Sequence, residues 1–295
     1  MSVKSFSEMD YDWLATQHSG WAGDYSITAS VVIPTYNMKQ IVEKTLCGLR
    51  IQTYPTHLYE VIVTDDGSND GIEDLVNVHA RFFSNFHFAR QQHEGYRLAS
   101  VRNNGIRLAR NDVVILLDGD VLPVPELIEA HLRWFHIHDG LATIGYLKYI
   151  DASSVSPEKV LTSIDLIRAL PDYPSATNWG AKLDKRLPEF ANFGNHPHPY
   201  NCFHGGNVAF RRQHALDIGL FDEDFNGHWG YEDMEFAYRL WKSGRFLIVE
   251  AAALGLHQEH PSLSIDERLR QKKVNFEKMS RKVPGFKGYR QSIGQ

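Results

Sequence analysis

From Ser30 onward, short apolar runs alternate with segments in which apolar residues recur every three or four positions. Val31-Val32-Ile33 is a β-branched run ended by Pro34, and Ile41, Thr45 and Leu49 follow at helical spacing, which predicts strand, loop and helix. Residues 60–64 (Glu-Val-Ile-Val-Thr) repeat the strand signal, Asp65-Asp66-Gly67-Ser68 reads as a turn, and Ile72, Leu75, Val76 and His79 line one helical face. Leu98, Val101, Gly105 and Leu108 give a third helical stripe. Val113-Val114-Ile115-Leu116-Leu117 then forms a continuous apolar run of the kind buried on both faces of a sheet. Strands alternating with helices predict an α/β fold, a mainly parallel sheet with helices on both sides. Ligands of such open sheets bind beyond the carboxyl ends of the strands. Here those ends are Pro34-Thr35-Tyr36-Asn37, Asp65-Asp66 and Asp118-Gly119-Asp120, so three polar strand ends are predicted to face one crevice.

Pro123 and Pro125 suit the start of a helix carrying Leu127, Ile128, Leu132 and Phe135, after which the alternation weakens. Residues 151–201 are rich in Pro, Ser, Asn and Gly, which predicts a long, partly mobile excursion of the sort used as a lid or binding loop. Order resumes over 203–210, followed by a short helix through Leu216 stopped by Gly219. A helix from about Glu232 is predicted to bury Phe236, Ala237, Leu240 and Trp241 and to end at Gly244, and residues 246–249 and 253–256 read as two closing strands. Residues 1–29, with Tyr11, Trp13, Trp21 and Tyr25 scattered through them, read as an extension that packs by its aromatics. Residues 267–290 hold nine Lys/Arg against two acids in a basic helix and tail.

Composition adds exclusions. A chain of 295 residues with 43% hydrophobic and 23% charged residues is neither disordered throughout nor fibrous. Its 31 Lys+Arg against 36 Asp+Glu give a net charge of −5, which provides no cationic field for nucleic acid, so no nucleic-acid partner is expected and any phosphate must be held locally. Cys47 and Cys202 match no metal-ligand spacing or disulfide framework, which favours a reducing compartment. No apolar run approaches the roughly 20 residues of a membrane-spanning helix. Residues 1–10 lack the basic region and apolar core of a secretory signal, so a cytoplasmic protein is the expectation.

Asp118-Gly119-Asp120 carries the most chemistry. Two carboxylates leaving a buried strand through a glycine make a repulsive acidic spot that a hard divalent cation such as Mg²⁺ or Mn²⁺ relieves, sharing its coordination with substrate phosphates. Trp229-Gly230-Tyr231-Glu232-Asp233-Met234-Glu235 puts three acids into the first turn of a helix, where they also favour the helix dipole. Asp233, beside an indole that can stack on a sugar, suits proton abstraction from a hydroxyl. His257 ends an apolar strand and can complete a carboxylate metal site, with His260, His204 and His228 as competitors for that role. Neither Pro34-Thr35-Tyr36-Asn37 nor Asp65-Asp66-Gly67-Ser68 is a Gly-rich phosphate cradle. Tyr36 could instead stack on a base and Asp66 accept a hydrogen bond from a base or ribose.

The ordered series Pro-Thr-Tyr-Asn, Asp-Asp-Gly-Ser, Asp-Gly-Asp, Gly-Gly-Asn-Val-Ala-Phe, Trp-Gly-Tyr-Glu-Asp-Met-Glu-Phe and His-Gln-Glu resembles GT-A glycosyltransferases over about residues 30 to 260. It looks like family-two enzymes, most of all bacterial chondroitin-polymerase-type domains, which share the Gly-Tyr-x-Leu-x-x-Val-Arg-Asn pattern of residues 95–103. The late motifs are also similar to those of β-1,4-galactosyltransferases. The resemblance implies a Rossmann-like GT-A fold with a nucleotide-sugar-binding half (30–122) fused to an acceptor-binding and catalytic half (123–265), flanked by the extension (1–29) and the basic helix and tail (266–295). It implies that Pro34, Tyr36 and Asp66 hold the uridine-like part of the donor, with Arg97 near the nucleotide. Asp118 would face ribose and metal, and Asp120 would ligate Mn²⁺ or Mg²⁺ together with His257. Gly206 and Asn207 would line the donor sugar, with Trp229 beside it. Glu232 would contact sugar hydroxyls and Asp233 would be the catalytic base.

The reaction so implied is metal-dependent, inverting transfer of one sugar from a nucleoside diphosphate sugar, UDP-linked, to the hydroxyl of a glycan, a lipid-linked precursor or a small molecule. The Glu-Asp pair supports inversion, because similar retaining transferases carry Glu-Asn there. Tyr231 departs from the glycine of the galactosyltransferases, which leaves the shape of the acceptor pocket open. Two alternatives stand beside this reading. A metal-dependent nucleotidyltransferase or nucleotide-sugar hydrolase could use the same acids, although no Gly-rich triphosphate loop followed by lysine lies near Pro34. A non-catalytic carbohydrate-binding module could keep the fold, although Asp118, Asp120, Asp233 and His257 are all retained. The basic tail reads as a solvated helix, a contact with an anionic membrane surface or a cover over the donor diphosphate, and homo-oligomerisation is left open.

Overall fold

In the computed structural model, residues 23, 25–176, 178–191 and 193–286 are described. The predicted aromatic packing of Tyr11, Trp13 and Trp21 and the tail beyond residue 286 lie outside them. Tyr25 is within, set edge-on against Tyr54 with ring centroids 5.3 Å apart.

The first three predicted strands are β1 (Ala29–Thr35), β2 (Tyr59–Asp65) and β4 (Val113–Leu117), each buried along its whole length. Such runs make stable strands only when helices cover both faces, each buried Val, Ile or Leu contributing roughly 1.5–3 kcal/mol. The covering helices are α1 (Lys39–Arg50), α2 (Ile72–Ala80) and α3 (Leu98–Leu108). Leu108 closes the α3 stripe in solvent, whereas Arg102 and Asn103 from the same helix are buried.

Three strands escaped the periodicity: β3 (Phe86–Arg90), β5 (Val121–Pro123) and the ten-residue β6 (Leu141–Ile150), which follows α4 (Leu127–Ile137). The two predicted closing strands are one, β8 (Phe246–Gln258), whose pairing with β6 shifts register at Gly145/Tyr146. β7 (Asn207–Arg211) leads into α8 (Arg212–Asp217), and α9 (Glu232–Lys242) begins where the acid-rich turn predicted it. Since α5, α6 and α7 are the short helices Pro157–Thr162, Ile164–Arg168 and Leu187–Phe190, the basic C-terminal helix Ile265–Lys282 is α10.

The eight strands of the described residues join one sheet in the order β3-β2-β1-β4-β7-β6-β8-β5. β3, β2, β1 and β4 run parallel, β7 is antiparallel to β4 and β6, β6 and β8 are parallel, and β5 returns antiparallel to β8. The mainly parallel α/β sheet is therefore as predicted, with antiparallel β7 carrying it into its second half. The excursion over 151–201 is pinned by the buried Arg186. Its guanidinium pairs with Asp184 at 2.6 Å and donates to the carbonyls of Cys202 (3.1 Å) and Gly145 (3.2 Å). Cys47 and Cys202 are both buried free thiols.

Candidate active site

The carboxyl ends of β1, β2 and β4 open into a cavity of about 780 Å³, closed on the far side by the start of α9, the end of β8 and the first turns of α10. Pro34, Tyr36, Asp66, Arg97, Asp118, Asp120, Gly206, Trp229, Glu232, Asp233 and His257 all line it. Asn207 does not. Its amide oxygen faces His131 Nε2 at 3.0 Å, while Nδ2 donates to the carbonyls of Tyr146 (3.0 Å) and Ala253 (2.8 Å). The predicted sugar-lining role of that side chain gives way to a structural one, because β-strand alternation turns it into the sheet.

At one end of the cavity Tyr36 stacks on His93, ring centroids 4.1 Å apart and 7° from parallel. His93 Nδ1 lies 3.1 Å from the Asp66 carbonyl, and the Asp66 carboxylate accepts from Gln91 Nε2 at 2.5 Å. Flat rings beside an oriented carboxylate offer a heteroaromatic ligand both stacking and hydrogen bonding. Arg97 is paired with Glu94 at 2.7 Å on the cavity wall.

In the middle, Arg102 is 2% exposed and bridges two acids: Nη2 donates to Asp118 Oδ1 and Nη1 to Glu232 Oε1, both at 2.9 Å. Arg102 belongs to the Gly-Tyr-x-Leu-x-x-Val-Arg-Asn pattern of residues 95–103, but the sequence reading gives it no role in the site, since a cation within a helical stripe looks like a solvated one. The available signal was Gly205-Gly206. A Cβ at Gly205 would come within 2.7 Å of the Arg102 guanidinium, and one at Gly206 within 2.7 Å of Asp118 Oδ2, so both acid and base depend on bare backbone there. Burial and the neighbouring Asp233 push the Glu232 carboxyl up to about 7, against the pull of Arg102. Burial also raises Asp118, against Arg102 and with Asp120 and Asp233 adding to it. Glu232 Oε2 is buried without a hydrogen-bond partner. Asp233 Oδ2 accepts from the Gly205 N–H at 3.1 Å, which holds the carboxylate at the cavity edge.

Beyond Asp118, Asp120 faces two imidazoles. Its Oδ2 lies 3.4 Å from His257 Nε2 and 3.0 Å from His260 Nε2, and the three side chains bring one ligand atom each within 4.8 Å of one another. Asp118 stands outside this cluster. His204 lines the cavity elsewhere, and His228 is not among its lining residues. His260 Nδ1 lies 2.9 Å from the Pro261 carbonyl, an acceptor only, so the proton sits on Nδ1 and Nε2 is the atom presented to Asp120. Burial would raise Asp120, but His257 and His260 hold its carboxyl below its ordinary value. Burial would lower His260, but Asp120 raises it. Both shifts are the mutual attraction of the carboxylate and the imidazoles. Asp120 Oδ1 is buried with no hydrogen-bond partner. One carboxylate and two imidazoles with an unused oxygen fit a divalent cation.

The profile of Glycosyl transferase family 2 matches residues 30–219, which run from β1 past β7. The chain belongs to that family. Among curated relatives it is 36% identical over 267 residues to the chondroitin synthase of Escherichia coli, covering 87% of this chain and 38% of that protein. It is 34% identical to the hyaluronan synthase of Pasteurella multocida (86% and 27%), and 33% identical to a validoxylamine A glucosyltransferase of Streptomyces hygroscopicus (78% and 55%). The chain thus spans well under half the length of the two polysaccharide synthases. Of solved structures, S. aureus TarS 1-349 in complex with UDP-GlcNAc superposes with a TM-score of 0.58 at 16% identity, covering 81% of this chain and 61% of that one. The mannosyltransferase PcManGT of Pyrobaculum calidifontis, in complex with GDP-Man and Mn²⁺, gives 0.57 at 19% identity, with 92% and 71% covered. The family-two membership and the GT-A fold anticipated from the motif series are both met.

One departure noted in the sequence has a backbone counterpart. Tyr231, at the start of α9, has φ of 75°, in the left-handed region that costs a bulky residue roughly 1–2 kcal/mol. Its buried ring packs edge-on against Phe276 and Phe286, which ties the turn before α9 to α10 and the segment after it.

Proposed function

We propose that this chain transfers one sugar from a nucleoside diphosphate sugar, UDP-linked, to an acceptor hydroxyl with inversion of configuration. The observation that carries the reading is a single cavity bounded by an aromatic and carboxylate end (Tyr36, His93, Asp66), a cation-ligand cluster (Asp120, His257, His260) and the carboxylate of Asp233. The nucleotide sugars in the complexes of TarS and PcManGT support the donor class. Tyr36 and His93 give the base a stacking surface, and Asp66 accepts from its donors. Asp120, His257 and His260 would hold Mn²⁺ or Mg²⁺. When bound, that cation neutralises charge growing on the leaving diphosphate.

The remaining work falls to the chain itself. Asp233, oriented by the Gly205 N–H, takes the proton of the acceptor hydroxyl as that oxygen attacks the anomeric carbon opposite the leaving group. Glu232 offers Oε2 to a sugar hydroxyl while Arg102 fixes its other oxygen, and the same guanidinium fixes Asp118. Trp229 supplies an apolar face for a sugar ring. The test is thermal unfolding with UDP, GDP, dTDP and CMP, each with and without Mn²⁺. A Mn²⁺-dependent rise with UDP that disappears in Asp120→Ala is expected. No rise with any nucleotide would remove the donor assignment and favour the non-catalytic carbohydrate-binding module.

A further inference from the structure

The far wall of the cavity is cationic and aromatic at once. Trp229 lines it, and Trp179 backs Trp229 from outside the lining, edge to face with centroids 6.2 Å apart. Arg268 lies 5.9 Å from each indole, Lys272 5.3 and 5.6 Å from them and 4.9 Å from Tyr231, and Lys185 5.7 Å from Trp179. Arg268 is the informative member. It is 2% exposed and lines the cavity, yet its Nε and Nη1 have no hydrogen-bond partner, and Nη2 reaches only Ser262 Oγ at 3.4 Å. A buried guanidinium with unused donors is costly unless an anion meets it. Burial depresses Arg268, with Glu259 opposing, and burial together with Lys272 and Arg186 takes Lys185 down to about 7, against the pull of Asp184 and Asp233.

We infer that Arg268, with Lys272 and Lys185 beside it, forms an oxyanion subsite on the α10 wall of the cavity, separate from the cation-ligand cluster, that takes a phosphate or carboxylate of a substrate. The inference rests on the glycosyltransferase reading and adds a ligand group to it. Two sources carry that chemistry: the donor diphosphate, and the carboxylate of an acidic sugar acceptor stacked on Trp229. Guanidinium matches either oxyanion through paired N–H donors, and the Trp229 indole favours a sugar ring next to it.

The full chain and Arg268→Gln are compared by calorimetric titration with UDP plus Mn²⁺, uridine, a disaccharide ending in glucuronate and one ending in glucose, with unliganded melting temperature measured in parallel. Loss of about tenfold or more in affinity for UDP or for the acidic disaccharide is expected, with uridine and the neutral disaccharide unchanged. Loss on UDP assigns the subsite to the donor, and loss on the acidic disaccharide assigns it to the acceptor. The unliganded variant is expected to melt no lower than the wild type, since a buried charge without a full set of partners has gone. A melting temperature that falls, or equal affinities for all four ligands, overturns the subsite. Lys272→Gln, a half-buried position that folds without such a core change, repeats the affinity comparison. Should the wild type ignore UDP and uridine while binding the acidic disaccharide through Arg268, the donor reading fails and the subsite stands; should it bind none of the four, both fall.

Discussion

Replacing Glu232 by glutamine isolates the electrostatic strain at the centre of the site. The carboxyl is 5% exposed, and burial next to Asp233 raises it from 4.5 to about 7 in the fold. A folded-state value above the unfolded one means the native chain favours the protonated acid. That contribution is therefore complete below about 4.5, is lost as pH rises, and is gone above about 7. The shift corresponds to on the order of 3 kcal/mol. Glutamine keeps the shape, and its carbonyl still accepts from Arg102 Nη1, but it never ionises. Glu232→Gln should thus gain on the wild type by about 3 kcal/mol between pH 4.5 and pH 8, or roughly 6 °C in melting temperature for a chain of this size. Thermal unfolding of both proteins at half-unit pH steps, without ligand, measures the difference directly, and titrating groups outside the Glu232, Asp233, Asp118 and Arg102 cluster cancel. Parallel curves, or a variant that loses ground as pH rises, would refute the claim that Glu232 is held in an environment hostile to its charge.

Other expectations concern neighbouring residues. Arg102→Met leaves Asp118 and Glu232 without their shared partner and should cost about 3–5 kcal/mol at neutral pH, measured by urea unfolding, with part of the loss recovered on acidification as the acids protonate. Gly206→Ala puts a methyl 2.7 Å from Asp118 Oδ2 and should cost about 1–3 kcal/mol and weaken UDP binding, while the wild-type affinity retained by calorimetry would count against that close approach. His260→Ala should weaken Mn²⁺ binding by about tenfold or more as read by the electron paramagnetic resonance signal of free Mn²⁺, because it removes one imidazole from the group facing Asp120.

Much of this arrangement was legible in the chain, for identifiable reasons. β1, β2 and β4 are continuous apolar runs because both their faces are covered, and strand ends in a parallel sheet converge, so Asp66, Asp118 and Asp120 followed from their positions alone. β3 hid because it is a short edge strand of half-buried residues interrupted by His87 and Arg90. β6 hid because Gly145 and Lys148 break its alternation at the register shift with β8. The same shift made β8 read as two strands. Side-chain direction was the harder problem. Asn207 sits beside Gly206 in sequence but points into the sheet, while Arg102 and His260 enter the site from a helix and a loop whose local patterns look solvated. Buried charge is decided by partners distant in sequence, and Arg102 meets Glu232 across 130 positions.

The central claim is that Asp233 deprotonates an acceptor for direct displacement at the sugar. The anomeric configuration of the product, followed by proton nuclear magnetic resonance from an α-linked UDP-sugar in wild type and Asp233→Asn, tests it most directly. A β-linked glycoside and UDP are predicted, with turnover lowered about 10²–10⁴-fold in Asp233→Asn while UDP affinity holds. An α-linked product, free sugar, pyrophosphate, or full turnover in the variant would contradict the account.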